Sequence, residues 1–341
     1  MKAQNLYRSL AALSLLFLAA TCGVAQRPAL PKPSPQSTPA EGQELEKIKV
    51  STEEVLLPVV ASDEYGRFDP TLVPDDILVL ENHIPRPVKS VRHVPANVLL
   101  VIDMGSQLTS LTKTTREYAL KLLATLKEGD QIAIIQNSHR VEVLQEWTTD
   151  REKAAHVIKT QLFGSSRSRL SECLNAAVTK LKEKPAGNAH LVLVTDGMET
   201  PGRGADYPEL VSHIVGTQAT VHAICYSPFS RESLKGRRFG LDFEMKRWYK
   251  RHGELLKQND ERLKKLIAET GGQISLPASV QEVAREWEDV VRNIKAQYVI
   301  TYSPARPFKA TVAGERRSIR VQARRNGLQL IAMRNYVVVP E

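Results

Sequence analysis

The sequence of 341 residues predicts an α/β fold class, in which a doubly wound, mostly parallel sheet is inserted into a small antiparallel β-sandwich. Two aliphatic runs, each ending in an aspartate (Asp103 and Asp196), are typical of strands buried on both faces. Between and after these runs, strand patterns alternate with helical patterns, as in doubly wound sheets. Short β patterns on either side of this region have no other partners, so we expect them to pair with each other.

Composition indicates a soluble globular protein, with 42% hydrophobic and 25% charged residues. The formal net charge of +9 is concentrated in two stretches, 231–265 and 316–325. Neither stretch carries a nucleic-acid-reading motif or interleaved stacking aromatic residues, so we expect no nucleic-acid partner. We interpret the basic stretches as solvated faces suited to an anionic membrane surface or an acidic polymer.

The first 25 residues (1–25) predict a signal peptide, because a basic start and a short apolar core precede the small residues Gly23-Val24-Ala25. We expect cleavage after Ala25 and a secreted or periplasmic protein. The apolar run is too short for a permanent anchor, so no transmembrane segment is expected after cleavage. Cys22 raises a lipoprotein as an alternative, which the poor lipidation box Ala19-Ala20-Thr21 disfavours.

Four further segments follow the signal peptide in the predicted organisation. Residues 26–46 are proline-rich and predict an extended linker. Short strand patterns with turn signals over 47–95 predict the first part of the β-sandwich, and 297–341 the second part. The α/β domain takes 96–296. Asn326-Gly327, between two strand patterns of the second sandwich part, is a strong hairpin signal.

Within the α/β domain, amphipathic helices are expected between buried strands. The helical patterns cover 108–126, 152–161, 170–181, 207–215, 261–269 and 280–296. A basic, partly helical insertion at 227–259 interrupts the alternation and is the best candidate for a partner-specific surface. A solvated helical excursion without a partner is the alternative interpretation.

The sequence offers no catalytic constellation that would predict an enzyme. It has no glycine-rich phosphate loop after a strand, no Gly-x-Ser-x-Gly elbow and no His-Glu-x-x-His pair. The eight scattered histidines are expected at the surface or at strand ends. Cys173 and Cys225 lie in apolar-periodic segments and are predicted to be buried free thiols. Tyr298 and Tyr302 share one strand face and are expected to pack in the core.

The two aspartates that end buried strands define the candidate site. Parallel strands bring their carboxyl ends to one edge of a sheet, so Asp103 and Asp196 are expected near each other. Paired carboxylates repel unless a proton or a metal neutralises them, which makes a hard-cation site one interpretation. The other is that each aspartate accepts hydrogen bonds at a helix N-terminus and needs no metal.

These runs resemble the von Willebrand factor type A (VWA) domain, and nearly the whole mature chain resembles secreted bacterial VWFA-related proteins of the acidobacterial type. The flanking fragments that carry the wider resemblance are Asp63-Glu64-Tyr65-Gly66-Arg67, Asp75-Asp76-Ile77-Leu78-Val79-Leu80-Glu81-Asn82, Ala268-Glu269-Thr270-Gly271-Gly272 and Gln297-Tyr298-Val299-Ile300-Thr301-Tyr302-Ser303-Pro304. The resemblance implies a metal-ion-dependent adhesion site holding Mg²⁺ or Mn²⁺. Its ligands come from an Asp-x-Ser-x-Ser loop, a threonine and a later aspartate.

Carried over by position, Asp103 matches the first aspartate, Asp196 the last, and Ser168 the threonine. The first loop departs from the motif, because Gly105 and Gln107 stand where serines are expected. Gln107 offers only a carbonyl oxygen on a long side chain.

Ser106 could replace a missing hydroxyl only if the loop shifted by one residue. The implied metal site is therefore degenerate, and Mg²⁺ or Mn²⁺ binding is expected to be weak or absent.

The sequence thus predicts a non-enzymatic, adhesion-type protein-interaction module. Its expected ligand is a protein partner that presents a carboxylate, attracted by Arg167 and Arg169. The alternative is a metal-dependent hydrolase of extracellular or periplasmic polymers.

Overall fold

The computed structural model describes residues 54–105, 111–165, 167–185, 187–199, 207–235, 243–312 and 314–337. The predicted signal peptide and linker, and the candidate ligands Ser106 and Gln107, lie outside these described residues. No helix in the described ranges combines the length and the apolar character needed to cross a bilayer.

The described part of the chain contains fourteen strands and seven α-helices. The strands are β1 (Val55–Ser62), β2 (Ile77–Glu81), β3 (Ile84–Arg86), β4 (Val88–Arg92), β5 (Asn97–Asp103), β6 (Gln131–Asn137), β7 (Val141–Thr148), β8 (Ala189–Thr195), β9 (Thr220–Cys225), β10 (Ile274–Ser275), β11 (Gln297–Tyr302), β12 (Arg316–Ala323), β13 (Gln329–Ala332) and β14 (Asn335–Val337). The helices are α1 (Thr112–Thr125), α2 (Arg151–Thr160), α3 (Leu170–Leu181), α4 (Tyr207–Gly216), α5 (Ser227–Lys235), α6 (Phe243–Thr270) and α7 (Val280–Lys295).

The central sheet has the strand order β10-β9-β8-β5-β6-β7, and all neighbours are parallel except β6 and β7. Successive side chains of β5 point to opposite faces, as strand geometry requires. Leu100 and Ile102 pack with helices α1, α2 and α7, whereas Leu99 and Val101 pack with α3, α4 and α6. The predicted doubly wound α/β class is confirmed.

Two antiparallel sheets, with the orders β13-β1-β11-β4 and β14-β12-β2-β3, form the β-sandwich. Strands from before and after the central sheet pair directly, since β1 lies between β11 and β13. The two sheets share one apolar core, in which Tyr298 and Tyr302 are buried as predicted. Cys173 and Cys225 are buried free thiols, also as predicted.

The hairpin prediction at Asn326-Gly327 is wrong. Strand β12 pairs with β2 in one sheet, whereas β13 pairs with β1 in the other. Gly327 has the positive φ of +76° that a tight turn requires. A turn sequence fixes only the local reversal, and here the chain crosses from one layer of the sandwich to the other because both strands bury side chains in the shared core.

The expected boundary between the insertion at 227–259 and a helix at 261–269 is also wrong. Helix α6 runs without interruption from Phe243 to Thr270, so it contains both the end of the insertion and the predicted helix. Leu256, Asp260, Leu263 and Ile267 are buried with helical spacing, so its C-terminal half belongs to the core. The polar residues before Asp260 lie on the other faces of this amphipathic helix.

A buried ion pair joins β2, which precedes the α/β domain, to β12, which follows it. Arg317 Nη1 lies 2.8 Å from Glu81 Oε1, and both side chains are 1% exposed. The guanidinium also donates to Thr311 Oγ1 at 2.6 Å and to the Arg306 carbonyl at 3.1 Å. The second oxygen of Glu81 accepts from the Ala305 amide at 3.1 Å. Each charge is thus paired and further hydrogen-bonded, as buried charges require.

A second polar cluster is buried in the amino-terminal halves of β8 and β9. His190 and His222 stack with ring centroids 5.6 Å apart, and His190 Nδ1 lies 3.4 Å from His222 Nε2. His190 Nε2 contacts Asn188 Oδ1 at 3.2 Å, and the same oxygen accepts from Gln297 Nε2 at 3.0 Å. The expectation that all histidines lie at the surface or strand ends is therefore wrong for His222, which sits inside β9 facing β8.

Candidate functional site

Strands β5, β6 and β8 end at the same edge of the central sheet, and each places a polar side chain there. Asp103 ends β5, Asn137 ends β6 in register with it, and Asp196 follows β8. The loop before α3 adds Ser168. All four side chains are buried, so the edge carries two carboxylates out of contact with water.

The carboxylate of Asp103 accepts four hydrogen bonds. Oδ1 accepts from the Gly105 amide at 3.0 Å and from Asn137 Nδ2 at 3.1 Å. Oδ2 accepts from Ser168 Oγ at 3.1 Å and from Thr195 Oγ1 at 2.7 Å. A carboxylate has about four lone-pair sites, so these protein donors use the full acceptor capacity of Asp103.

Asn137 connects two of the predicted ligands. Its Nδ2 donates to Ser168 Oγ at 2.9 Å as well as to Asp103. Its Oδ1 accepts from the backbone amide of Arg169 at 2.9 Å, which fixes the orientation of the side-chain amide. The amide therefore holds the loop before α3 against the end of β5.

Asp196 is placed by the turn that follows β8. Its Oδ1 accepts from the Met198 amide at 2.9 Å, while Thr195 Oγ1 accepts from the Gly197 amide at 2.9 Å. Asn259 of helix α6 donates to the Gly197 carbonyl and ties this turn to the helix. The β8 turn thus links the carboxylate edge to α6.

Burial, together with the charge of Asp196, raises the pKa of Asp103 to about 7. Hydrogen bonds from Thr195, Gly105 and Ser168 oppose this rise, because they favour the ionised form. Asp103 ends β5 and Asp196 follows β8, its parallel neighbour, so the fold brings both carboxylates to one edge, as expected.

Residues 98–199 match the family described as von Willebrand factor type A domain. The match runs from β5 to the turn after β8 and contains the four side chains of the edge. Over these residues the chain is similar to the VWA domain. The matched family agrees with the resemblance to the VWA domain drawn from the sequence, and the wider resemblance to secreted proteins of the acidobacterial type stays a prediction.

Among solved structures, a von Willebrand factor type A protein from Catenulispora acidiphila shares 11% identity, with a TM-score of 0.46 over 86% of this chain and 76% of that one. The vWF domain of the type V pili tip protein Mfa5 from Porphyromonas gingivalis shares 13%, with a TM-score of 0.42 over 60% and 96%. Proximal thread matrix protein 1 from the mussel byssus shares 14%, with a TM-score of 0.43 over 58% and 47%. No curated protein sequence matches the chain.

The candidate oxygen ligands that the structure describes at this edge do not fit the divalent cation that the resemblance implies. Mg²⁺ needs near-octahedral oxygen ligation, but the oxygens of Asp103 are already saturated by protein donors. Nor can the first missing serine be accommodated. A Cβ on Gly105 would lie 2.6 Å from both the Arg167 carbonyl and Ser168 Cβ. The loop before α3 therefore occupies the space that a serine at this position would need.

Replacing Gly105 with serine restores the first motif serine, yet we expect it to lower the free energy of unfolding by about 1–3 kcal/mol through overpacking. Urea unfolding with and without Mg²⁺ measures the effect. Gly253→Ser in helix α6 is the matched control, because a Cβ there meets nothing within 4 Å. A Gly105→Ser protein as stable as wild type, or one stabilised by Mg²⁺, would show that the edge does accommodate the motif serine or the cation.

A cavity of about 280 Å³ lies beside the β8 turn. Its floor and walls are apolar side chains of α3, α4, α6 and the turn: Leu170, Leu174, Met198, Leu210, Leu255 and Leu263. Asn259 and Arg262 of α6 and Glu199 of the turn supply the polar part of the lining. Glu199 accepts from the Ser171 hydroxyl at 2.7 Å. The sequence interpretation missed this cavity, because half of its α6 wall was assigned to the insertion.

Proposed function

We propose that this protein is a secreted, non-enzymatic interaction module whose VWA domain binds a protein partner at the carboxyl edge of the central sheet. The observation that carries the proposal is the apolar cavity beside the β8 turn. Ligand sites in doubly wound folds form beyond the carboxyl ends of the strands, and the cavity lies at that edge.

The size and lining of the cavity suit one or two side chains of a partner. About 280 Å³ is just below the usual range of small-molecule pockets. Protein interfaces concentrate affinity where an apolar or aromatic side chain fills a well-packed pocket within a polar rim. Leucine walls with Asn259 and Arg262 beside them match this pattern.

Charge at the edge favours an acidic partner. Arg167 and Arg169 are exposed on the loop that carries Ser168, and Arg169 pairs with the exposed Glu172 at 2.9 Å. Exposed cations attract an acidic segment over about a Debye length. A carboxylate presented by the partner would therefore bind arginine side chains and not a bound metal ion.

The arrangement of the edge gives little support to the alternative hydrolase. A general acid or base must reach the substrate within hydrogen-bond distance. Asp103 is fully buried and its oxygens are engaged by four donors, and His190 and His222 lie in the amino-terminal halves of their strands, away from this edge. Turnover of an extracellular polymer that disappears in Asp196→Ala would support the hydrolase instead.

Photo-crosslinking tests the proposal. A crosslinking amino acid replaces Leu255, which lines the cavity and is 41% exposed, in cells of the source organism. We expect one discrete protein adduct that weakens when Arg167 and Arg169 are changed to glutamate. Val143 on β7 is the matched control, since it is 43% exposed and does not line the cavity. The absence of an adduct at Leu255, or the same adduct at both positions, would refute the cavity as the binding site.

A further inference from the structure

We propose that the side-chain amide of Asn137 performs the bridging role that a divalent cation has in VWA domains, so that this edge is complete without a metal. The amide nitrogen contacts Asp103 and Ser168, which are two of the three described side chains at the positions of the family's ligands. No cation–oxygen bond is needed to hold them together. The proposal rests on the geometry of the edge and does not require the partner site to be correct.

The hydrogen-bond geometry matches the donors of a primary amide. Nδ2 carries two hydrogens, and it has two acceptors, Asp103 Oδ1 at 3.1 Å and Ser168 Oγ at 2.9 Å. Ser168 Oγ in turn donates to Asp103 Oδ2 at 3.1 Å. The three side chains therefore form a closed ring of hydrogen bonds in which both amide hydrogens are used.

Backbone contacts hold the amide in this orientation. The Arg169 amide donates to Asn137 Oδ1 at 2.9 Å, so exchanging the oxygen and the nitrogen would set two donors against each other. The carbonyl of Asn137 accepts from the Met104 amide at 2.7 Å, which fixes the strand end beside the first loop. Asn137 itself is 0% exposed. Such a fully satisfied buried network is rigid and specific.

Because residue 137 carries an amide and not a carboxylate, the edge does not need a cation. A neutral amide adds donors without adding charge beside Asp103 and Asp196. A third carboxylate in the same place would add oxygen ligands and a strong mutual repulsion, which a hard cation relieves. Asn137→Asp differs from the wild type by one isosteric group, so it should convert the edge from metal-independent to metal-dependent.

Thermal unfolding of the full chain tests this, with Mg²⁺, Mn²⁺ or a chelator as the probes. The wild-type Tm should be the same under all three conditions. Asn137→Asp should have a lower Tm than the wild type in chelator and should recover several degrees in millimolar Mn²⁺. Asn137→Ala should be destabilised without a metal response, because it removes the bridge and adds no ligand.

Asn188→Asp is the control for burying a carboxylate, since Asn188 lies at the opposite end of β8. It should show no Mn²⁺ response. A wild-type Tm that rises with Mg²⁺ or Mn²⁺, or a folded Asn137→Asp protein indifferent to both, would overturn the proposal. If Asn137→Asp does not fold under any condition, the wild-type Tm alone tests the proposal. A wild-type Tm that changes with metal or chelator overturns the proposal, and an unchanged Tm supports it.

Discussion

Replacing Arg317 with methionine is expected to lower the free energy of unfolding by about 3–5 kcal/mol. The substitution leaves the Glu81 carboxylate buried at 1% exposure and without its cation. Methionine fills much of the volume but offers no hydrogen bond, so the main loss is the uncompensated charge rather than a cavity. The ion pair joins β2 to β12, so the sandwich core should weaken as a whole.

Urea unfolding measures the loss, and Arg316→Met is the matched control in the same strand. Arg316 is about half exposed and pairs with Glu269 at the surface, so its removal should change stability by less than about 1 kcal/mol. Combining Glu81→Leu with Arg317→Met should restore much of the loss, because no charge is then left buried. Equal effects of the two arginine substitutions would show that the pair is not a buried charge pair in solution.

Acidification from pH 6.5 to pH 4 is expected to destabilise the protein through His222 by about 3 kcal/mol, at 1.36 kcal/mol per pKa unit. Burial lowers the pKa of His222 from its usual value to about 4. Burial, with the neighbouring His222, also lowers the pKa of His190 well below its usual value. In this window the unfolded chain binds protons that the folded protein excludes, so stability is present above pH 6.5 and is lost as the pH falls.

The hydrogen-bond chain explains why a proton is not tolerated. Asn188 Oδ1 requires a donor, so His190 carries its hydrogen on Nε2 and accepts from His222 on Nδ1. His222 Nδ1 is then left buried without a hydrogen-bond partner in the described structure. Protonation there would place an unpaired cation in the core.

Urea unfolding of His222→Gln at pH 7 and at pH 4 checks this prediction. The variant should lose less stability than wild type between the two values, because one buried titrating group has been removed. His213→Gln on helix α4, where the side chain is half exposed, is the control and should follow the wild-type curve. Parallel curves for wild type and His222→Gln would exclude His222 as the acid-sensitive group.

The sequence was sufficient where burial on both sides of a strand leaves a distinct pattern. Continuous aliphatic residues before Asp103 and Asp196 predicted two central parallel strands, and parallel geometry then predicted that both carboxylates reach one edge. Unpaired β patterns on both sides of the α/β region predicted that strands from before and after it pair with each other in the sandwich. These predictions depend only on hydrophobic burial and chain direction.

The sequence interpretation missed what depends on tertiary neighbours. Asn137 stands in an Asn-Ser-His stretch that favours a turn, and nothing local shows that it faces Asp103. The strand order could have indicated it, because β6 ends at the same edge as β5. Likewise, the insertion was predicted to end at residue 259, although the buried residues Leu256 and Leu263 belong to one continuous helix.

The position of β1 between β11 and β13 has a consequence for biosynthesis. β1 leaves the ribosome long before either partner strand. Its apolar side chains therefore stay unpaired while the entire α/β domain is synthesised. The nascent chain therefore exposes an unpaired, aggregation-prone strand until the last strands emerge. A holding chaperone should bind the early β1 segment and be released only when β11 and β13 are complete.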